Sequence, residues 1–410
     1  VPYINISISS GCAAIAKTFI IMFLNVLLKL IKHSITMKTQ TTNINGYIEG
    51  YYGRVLKWPE RHAILKKLKK CGFNTYFYCP KEDLQHRLKW RTPYSKRWIS
   101  SFIYFCKLAE KLGINVLIGL SPGLDYDFKN NSIDFSTLVL KAKSLKFSNL
   151  TKIVLMLDDI PEMVSEAHST SLSEGFLHAQ LANLLSKEMK EIIYVVPRVY
   201  ADELITDKNN YLEDFGKHIK EKIPVFYCGE KIVSNTNDIK ELKTLRKSVK
   251  NEIIFWDNLY ANDYCPSKIF LGPFLGRKNF DNVMVNPTGL IKTDLFLLDL
   301  ISLTGTHNNM TNWKRTLKKH NIPEEFLIIC EYLYPINHNL LNQNNKYSYK
   351  QKIEALDFLL WKWKTPLSKE WYQYLLILKQ SLQLFLNSID NKRIKKIFPI
   401  PLYDAIIKRK

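Results

Sequence analysis

The sequence predicts an α/β fold: a (β/α)8 TIM-type barrel followed by a C-terminal all-α region. Three observations carry this. Short apolar runs alternate with amphipathic helical stretches eight times between residues 43 and 300, most of the runs end in polar or aromatic residues, and beyond residue 300 only helical periodicity persists. A doubly wound open sheet is the rival, but no GxGxxG follows the first strand.

Taken in order, residues 46–53 (GYIEGYYG) read as a short strand ending in glycines, and residues 59–70 as a helix closed by Gly72. Residues 74–80 are the second strand. A helix over 95–112 ends at Gly113, and 115–125 is the third strand with its turn. Residues 136–146 are helical, Ile153 to Leu157 form the fourth strand, and 171–190 a long helix. Residues 192–197, 223–229, 252–258 and 282–287 supply strands five to eight. Helical patterns then occupy 295–303, 313–320, 324–334, 349–364 and 371–386, joined by Asn-rich and Pro-containing connections. The expected domains are an N-terminal extension over 1–42, a catalytic barrel over 43–300 and a helical domain over 301–410.

The extension contains an apolar run, residues 13–31, interrupted by Lys17, Asn25 and Lys29 and preceded by no positive charge. It fits neither a secretory signal nor a spanning helix well. Sequence outside the working domain is the favoured reading, beside a weak signal or anchor and an amphipathic surface helix. A cytoplasmic protein is expected, with membrane association or export resting on this run alone.

With 59 Lys and Arg against 38 Asp and Glu, the net charge is +21. The basic residues are scattered and match no nucleic-acid motif, so a solvated basic surface is expected, with no specific nucleic-acid partner. Seven dispersed cysteines with no CxxC suit free thiols in a reducing compartment, and no Cys/His spacing suggests a metal. No cofactor is expected.

The chemistry gathers on Asp158 and Asp159, which follow the fourth strand directly and precede Pro161. On a continuing strand they would face opposite ways, so the chain must leave strand geometry there. At the carboxyl end of a barrel strand both can enter one pocket, one ionised and the other held protonated by its neighbour's charge. Helix capping and a surface ion pair are the plain alternative. Lys81, Tyr200, Trp256, Asn258, Asp263 and Asn286 also fall at or just beyond strand ends, and carboxylates, amides, a lysine and aromatics together suit a sugar site.

The motifs GYIEGYYGR, YCPKEDLQHRLKWR, LSPGLD, LMLDDI, WDNLYANDY, FLGPFLGR and NPTG, in this order, resemble the catalytic domain of glycoside hydrolase family 84, the β-N-acetylglucosaminidases that include the protein O-GlcNAcases. The resemblance implies a retaining exo-β-N-acetylglucosaminidase in which the substrate's 2-acetamido oxygen forms an oxazoline intermediate. It implies that Asp158 orients the acetamide N–H and that Asp159 is the acid and then the base. Gly46 and Lys81 would contact sugar hydroxyls, Tyr200 would sit by the acetamide oxygen and Trp256 would line its pocket. Asn258 would hold the acetamide or leaving oxygen, Asp263 would take the 4- and 6-hydroxyls, and Asn286 would bind further hydroxyls. Glu49, His86, Arg87 and Asp125 are expected to brace the loops. Glu82, Arg198 and Val199 depart from the family pattern, which puts the subsite next to the cleaved bond in doubt. The implied partner is a GlcNAc-bearing glycoprotein or glycan; a silent GlcNAc-binding barrel and a basic adaptor are the alternatives. Oligomeric state is not implied.

Overall fold

The computed structural model describes residues 43–128, 131–162, 172–206, 210–234, 236–238, 240, 242–278, 281–303, 309–334, 346–386, 388–397 and 400–408. The expectations for residues 1–42 lie outside them.

Eight short runs form the strands β1 (Asn45–Glu49), β2 (Thr75–Tyr78), β3 (Asn115–Leu120), β4 (Thr151–Met156), β5 (Tyr194–Val196), β6 (Val225–Tyr227), β7 (Ile253–Asp257) and β8 (Val283–Val285). They pair in parallel in chain order, and β8 closes on β1 through Val283 opposite Asn45. Strand periodicity sorts the side chains. Ile48, Phe77, Leu117, Val154, Phe226, Ile254 and Met284 fill the barrel, while Tyr47, Tyr76, Val116, Ile153 and Val195 pack outward under the helices. Gly46 has no room for a side chain, because a Cβ there would lie 1.8 Å from the Thr75 carbonyl oxygen on β2.

Helices α1 (Trp58–Cys71), α2 (Lys96–Leu112), α3 (Asn131–Ser144), α4 (Glu174–Met189), α5 (Tyr211–His218) and α6 (Lys243–Ser248) follow β1 to β6, and α7 (Ile291–Ile301) follows β8. Local sequence sets their ends: Ser95 caps α2 by accepting from the Trp98 N–H, and Gly113 ends it at φ 70°. The expectation of eight complete strand–helix units needs correcting. Among the described residues no helix joins β7 to β8, because Gly272, Pro273 and Gly276 interrupt that connection. Ile269, Phe270, Leu271 and Phe274 instead pack against the C-terminal helices.

Those helices are α8 (Asn309–Lys319), α9 (Phe326–Ile329), α10 (Tyr349–Asp357), α11 (Pro366–Phe385), α12 (Asn391–Ile397) and α13 (Ile400–Ile407). The helix expected over 324–334 becomes 3-10 after α9, and the one over 349–364 becomes a π turn after α10. Trp313, Phe326 and Trp371 share one core with Phe296 and Leu297 of α7. The Trp313 indole N–H donates to the Leu271 carbonyl at 2.8 Å, and that of Trp371 to the Thr293 hydroxyl at 2.9 Å. Ile44–Lys410 thus forms one compact unit. Among the described residues no helix is long and apolar enough to cross a membrane, and Cys71, Cys79, Cys106, Cys228, Cys265 and Cys330 are free thiols.

Candidate active site

A cavity of 560 Å³ opens where the strands end, lined by Gly50, Tyr52, Lys81, Asp158, Asp159, Tyr200, Trp256, Asn258, Asp263 and Asn286. β4 leads into it: the Leu157 N–H still bonds the Val196 carbonyl at 2.9 Å, and then the chain turns. Asp159 adopts φ 54°, a left-handed conformation that a non-glycine residue pays for with roughly 1–2 kcal/mol. The turn places both carboxylates on one cavity at different depths. The Asp158 side chain is 7% exposed and that of Asp159 30%.

Lys81, from the loop after β2, pairs with Asp158 Oδ2 and with Asp159 Oδ2, the latter at 3.1 Å. Burial works against the ammonium charge, but the two carboxylates outweigh it and hold Lys81 firmly protonated. Asp159 also accepts from the Tyr52 hydroxyl at 2.8 Å on Oδ2 and from the Tyr200 hydroxyl at 2.7 Å on Oδ1. Burial pushes its pKa up, yet the Lys81 charge and the hydrogen bonds from Tyr200, Tyr52 and Lys81 prevail and bring it down to about 2. The neighbouring carboxylate's charge therefore does not hold Asp159 protonated, because a lysine stands between them. Asp158 Oδ1 is buried without a hydrogen-bond partner among the described residues.

A chain of amides forms the opposite wall. The Gly50 N–H donates to Asn286 Oδ1 at 3.2 Å, Asn286 Nδ2 to Asn258 Oδ1 at 2.9 Å, and the Trp256 indole N–H to the same Asn258 oxygen at 2.9 Å. Asn258 Nδ2 donates to the Ile232 carbonyl at 2.9 Å. Asp263 accepts from the Tyr52 N–H at 2.9 Å, tying the β7 loop to the β1 loop.

Of the residues singled out in the sequence, Gly46 does not reach the cavity. It lies inside β1, and the glycine that lines the cavity is Gly50, where a Cβ would come within 2.7 Å of the Trp256 ring. The expected bracing groups are engaged with protein. Glu49 pairs with Arg61 at 2.7 Å, Asp125 takes the Trp90 indole at 2.7 Å and the His86 ring bonds the Gly119 carbonyl at 2.9 Å. The departures at Arg198 and Val199 do not line the cavity: Arg198 turns to Glu174 at 2.8 Å and Val199 is buried. Glu82 accepts from the Gly53 N–H at 2.7 Å. Sequence reasoning missed Tyr52 and the wall from the β6 end, Phe226, Tyr227, Cys228, Lys231, Ile232 and Val233. Only the position of CGEKIV directly after the strand VFY could have marked that wall. Among the described residues no cluster of three or more His, Cys, Asp or Glu side chains is arranged to hold a metal.

Adjacent carboxylates at the C-terminal mouth of a parallel barrel, faced by amides and aromatic rings, are the architecture of a barrel glycoside hydrolase. The family model for β-N-acetylglucosaminidase matches residues 45–292, more than half of the chain. The chain belongs to the β-N-acetylglucosaminidase family. It is 30% identical over 256 residues to protein O-GlcNAcase of Rattus norvegicus and equally to that of Mus musculus, a match covering 59% of this chain and 28% of each relative. Among solved structures, a mutant O-GlcNAc hydrolase of Thermobaculum terrenum shares the fold with a TM-score of 0.66 at 19% identity, covering 86% of each chain. CpGH84B does so with a TM-score of 0.71 at 19% identity, covering 89% of this chain and 72% of the other.

Proposed function

We propose that the chain is a retaining exo-β-N-acetylglucosaminidase that removes terminal β-linked GlcNAc from glycoproteins or glycans by substrate-assisted hydrolysis. The observation that carries this is the depth difference between two adjacent carboxylates on one cavity, Asp158 within and Asp159 at the mouth. In the first step the acetamide oxygen bonds the anomeric carbon, the bond to the leaving oxygen breaks, and Asp159 gives that oxygen its proton. Asp158 accepts the acetamide N–H as positive charge develops in the oxazoline. In the second step Asp159 takes a proton from water as the water oxygen bonds the anomeric carbon and reopens the ring.

Asp159 must first gain its proton. A bound sugar supplies the means: a hydroxyl draws Lys81 off the carboxylates, and the acetamide oxygen draws the Tyr200 hydroxyl off Asp159 Oδ1. Two of the three groups that hold Asp159 ionised then lose contact with it, and only the Tyr52 hydroxyl remains. Trp256, Asn258, Asp263 and Asn286 present an indole, two amides and a carboxylate to the remaining sugar.

The reading is tested by turnover of an aryl β-GlcNAc glycoside by the wild-type chain beside Asp158→Ala and Asp159→Ala. Activity that collapses in both variants supports it. A second reading, a silent GlcNAc-binding barrel, draws on Lys81 bridging both carboxylates. Saturable GlcNAc binding without turnover in the wild type would favour it.

A further inference from the structure

The Asp159 turn is unusual in what holds it. Having left β4, the residue has no strand partner for its carbonyl, and its φ of 54° is matched in sign by only two other non-glycine residues among those described. Its carbonyl instead accepts from Arg87 Nη2 at 2.6 Å. The other end of the same guanidinium, Nη1, donates at 2.8 Å to the Tyr52 hydroxyl, which donates at 2.8 Å to Asp159 Oδ2. One planar group thereby fixes both the backbone and, through a phenol, the carboxylate of a single residue.

Arg87 is itself firmly seated, with its side chain 9% exposed. The loop that carries it is pinned at three points. Asp83 accepts from the Gln85 N–H at 3.0 Å and from the Tyr78 and Tyr94 hydroxyls at 2.6 and 3.0 Å. Lys141 of α3 donates to the Gln85 carbonyl at 3.0 Å, and the His86 ring is bonded to β3 at the Gly119 carbonyl. A group held this way has the stiffness to position another.

We infer that Arg87 is a positioning residue for the acid: its fork, acting through the Asp159 carbonyl and the Tyr52 hydroxyl, aims the Asp159 carboxylate at the leaving oxygen. The inference rests on the proposed function and goes beyond loop bracing, because a brace requires only the carbonyl contact. A lysine cannot replace the fork, since an ammonium is a point charge without two divergent, coplanar donors. Misaiming the acid slows only those substrates whose leaving oxygen needs a proton, and general acid catalysis contributes on the order of 10²–10⁴-fold.

The experiment compares two substrates, an aryl β-GlcNAc glycoside with a good leaving group and GlcNAc β-linked to serine in a peptide, in the full chain and its Arg87→Met, Arg87→Lys and Tyr52→Phe variants. Arg87→Met is expected to lower kcat/KM on the peptide by about 100-fold and on the aryl glycoside by only a few-fold. Arg87→Lys should recover little, and Tyr52→Phe should show the same selectivity at smaller size. Combining Arg87→Met with Tyr52→Phe should cost less than the product of the single losses. Equal losses on both substrates, or full recovery in Arg87→Lys, would overturn the inference. Should Arg87→Met fail to fold, Arg87→Lys decides, since it keeps the charge and loses only the fork: wild-type kcat/KM on the peptide in that variant overturns the inference. A wild-type chain inert on both substrates is a separate result and overturns the proposed function itself.

Discussion

Two clusters of carboxylate and cation invite comparison. At the cavity, Lys81 serves both Asp158 and Asp159, Asp158 Oδ1 goes without a partner among the described residues, and Asp159 sits at the mouth. At the seam between α1, α7 and α8, Asp299 collects Lys67, Lys319 at 2.8 Å and His320 at 2.7 Å. Both of its oxygens are engaged, and it does not line the cavity. Similar groups therefore serve opposite ends. A saturated cluster holds elements together, whereas one with unused capacity beside open space is available for exchange with a ligand.

The sharpest way to break this contrast is to neutralise each cluster. Asp158→Asn is expected to depress turnover of both activated and unactivated glycosides, and Asp159→Asn that of unactivated ones by roughly 10²–10⁴-fold, with thermal midpoints little changed. Asp299→Asn is expected to do the reverse, lowering stability by about 3 kcal/mol in denaturant titration while kcat holds. A variant at Asp299 that loses activity while stably folded would dissolve the distinction.

Acidity sharpens it further, because α7 carries two buried carboxylates of opposite fate. Burial pushes Asp294 up to about 6, and hydrogen bonds from Thr288 and Tyr47 only partly offset it. Burial pushes Asp299 up too, but His320, Lys319 and Lys67 pull it well below the usual carboxylate range. Between the ordinary value of 3.8 and about 6, native Asp294 keeps a proton that the unfolded chain has released, so stability should decline as pH rises through that window. The stabilisation from Asp299 is complete above 3.8 and drains away as pH falls below it. Thermal melts from pH 3 to pH 7 should show both limbs, and Asp299→Asn should flatten the acid limb alone.

Two glycines, Gly46 within β1 and Gly50 just past its end, complete the contrast. Gly46→Ala should destabilise the barrel, since its Cβ would strike a backbone carbonyl. Gly50→Ala should cost only about 1–3 kcal/mol and be read mainly as a raised KM, because its Cβ meets the Trp256 ring at the cavity. A Gly46 variant with normal stability and raised KM would exchange their places.

That pair also shows how far the sequence could be read. Apolar runs of strand length that end in polar residues made the barrel and its mouth legible, because a parallel strand buried on both faces has few other appearances. Asp158, Asp159, Lys81, Tyr200, Trp256, Asn258, Asp263 and Asn286 lie on the cavity for the same reason: each stands where a strand stops. Gly46 was misplaced because Gly-Tyr occurs twice, at 46–47 and 50–51, and only the second copy lies past the strand end. Tyr52 and the β6 wall stayed hidden, since aromatic and aliphatic residues at a strand end look like packing until the cavity is seen. The missing helix before β8 was written in Gly272, Pro273 and Gly276, but counting strand–helix units concealed it.

The β7–β8 connection, with no helix among its described residues, leans on the C-terminal helices. Asn262, next to Asp263, donates to the Tyr374 hydroxyl of α11 at 3.2 Å, and Arg54 of the β1 loop donates to the same oxygen at 3.1 Å. The inner face of α11 is thus tied to two of the loops at the mouth of the cavity. A substitution on α11 that moves Tyr374 would therefore reach the loop carrying Asp263, although Tyr374 itself does not line the cavity.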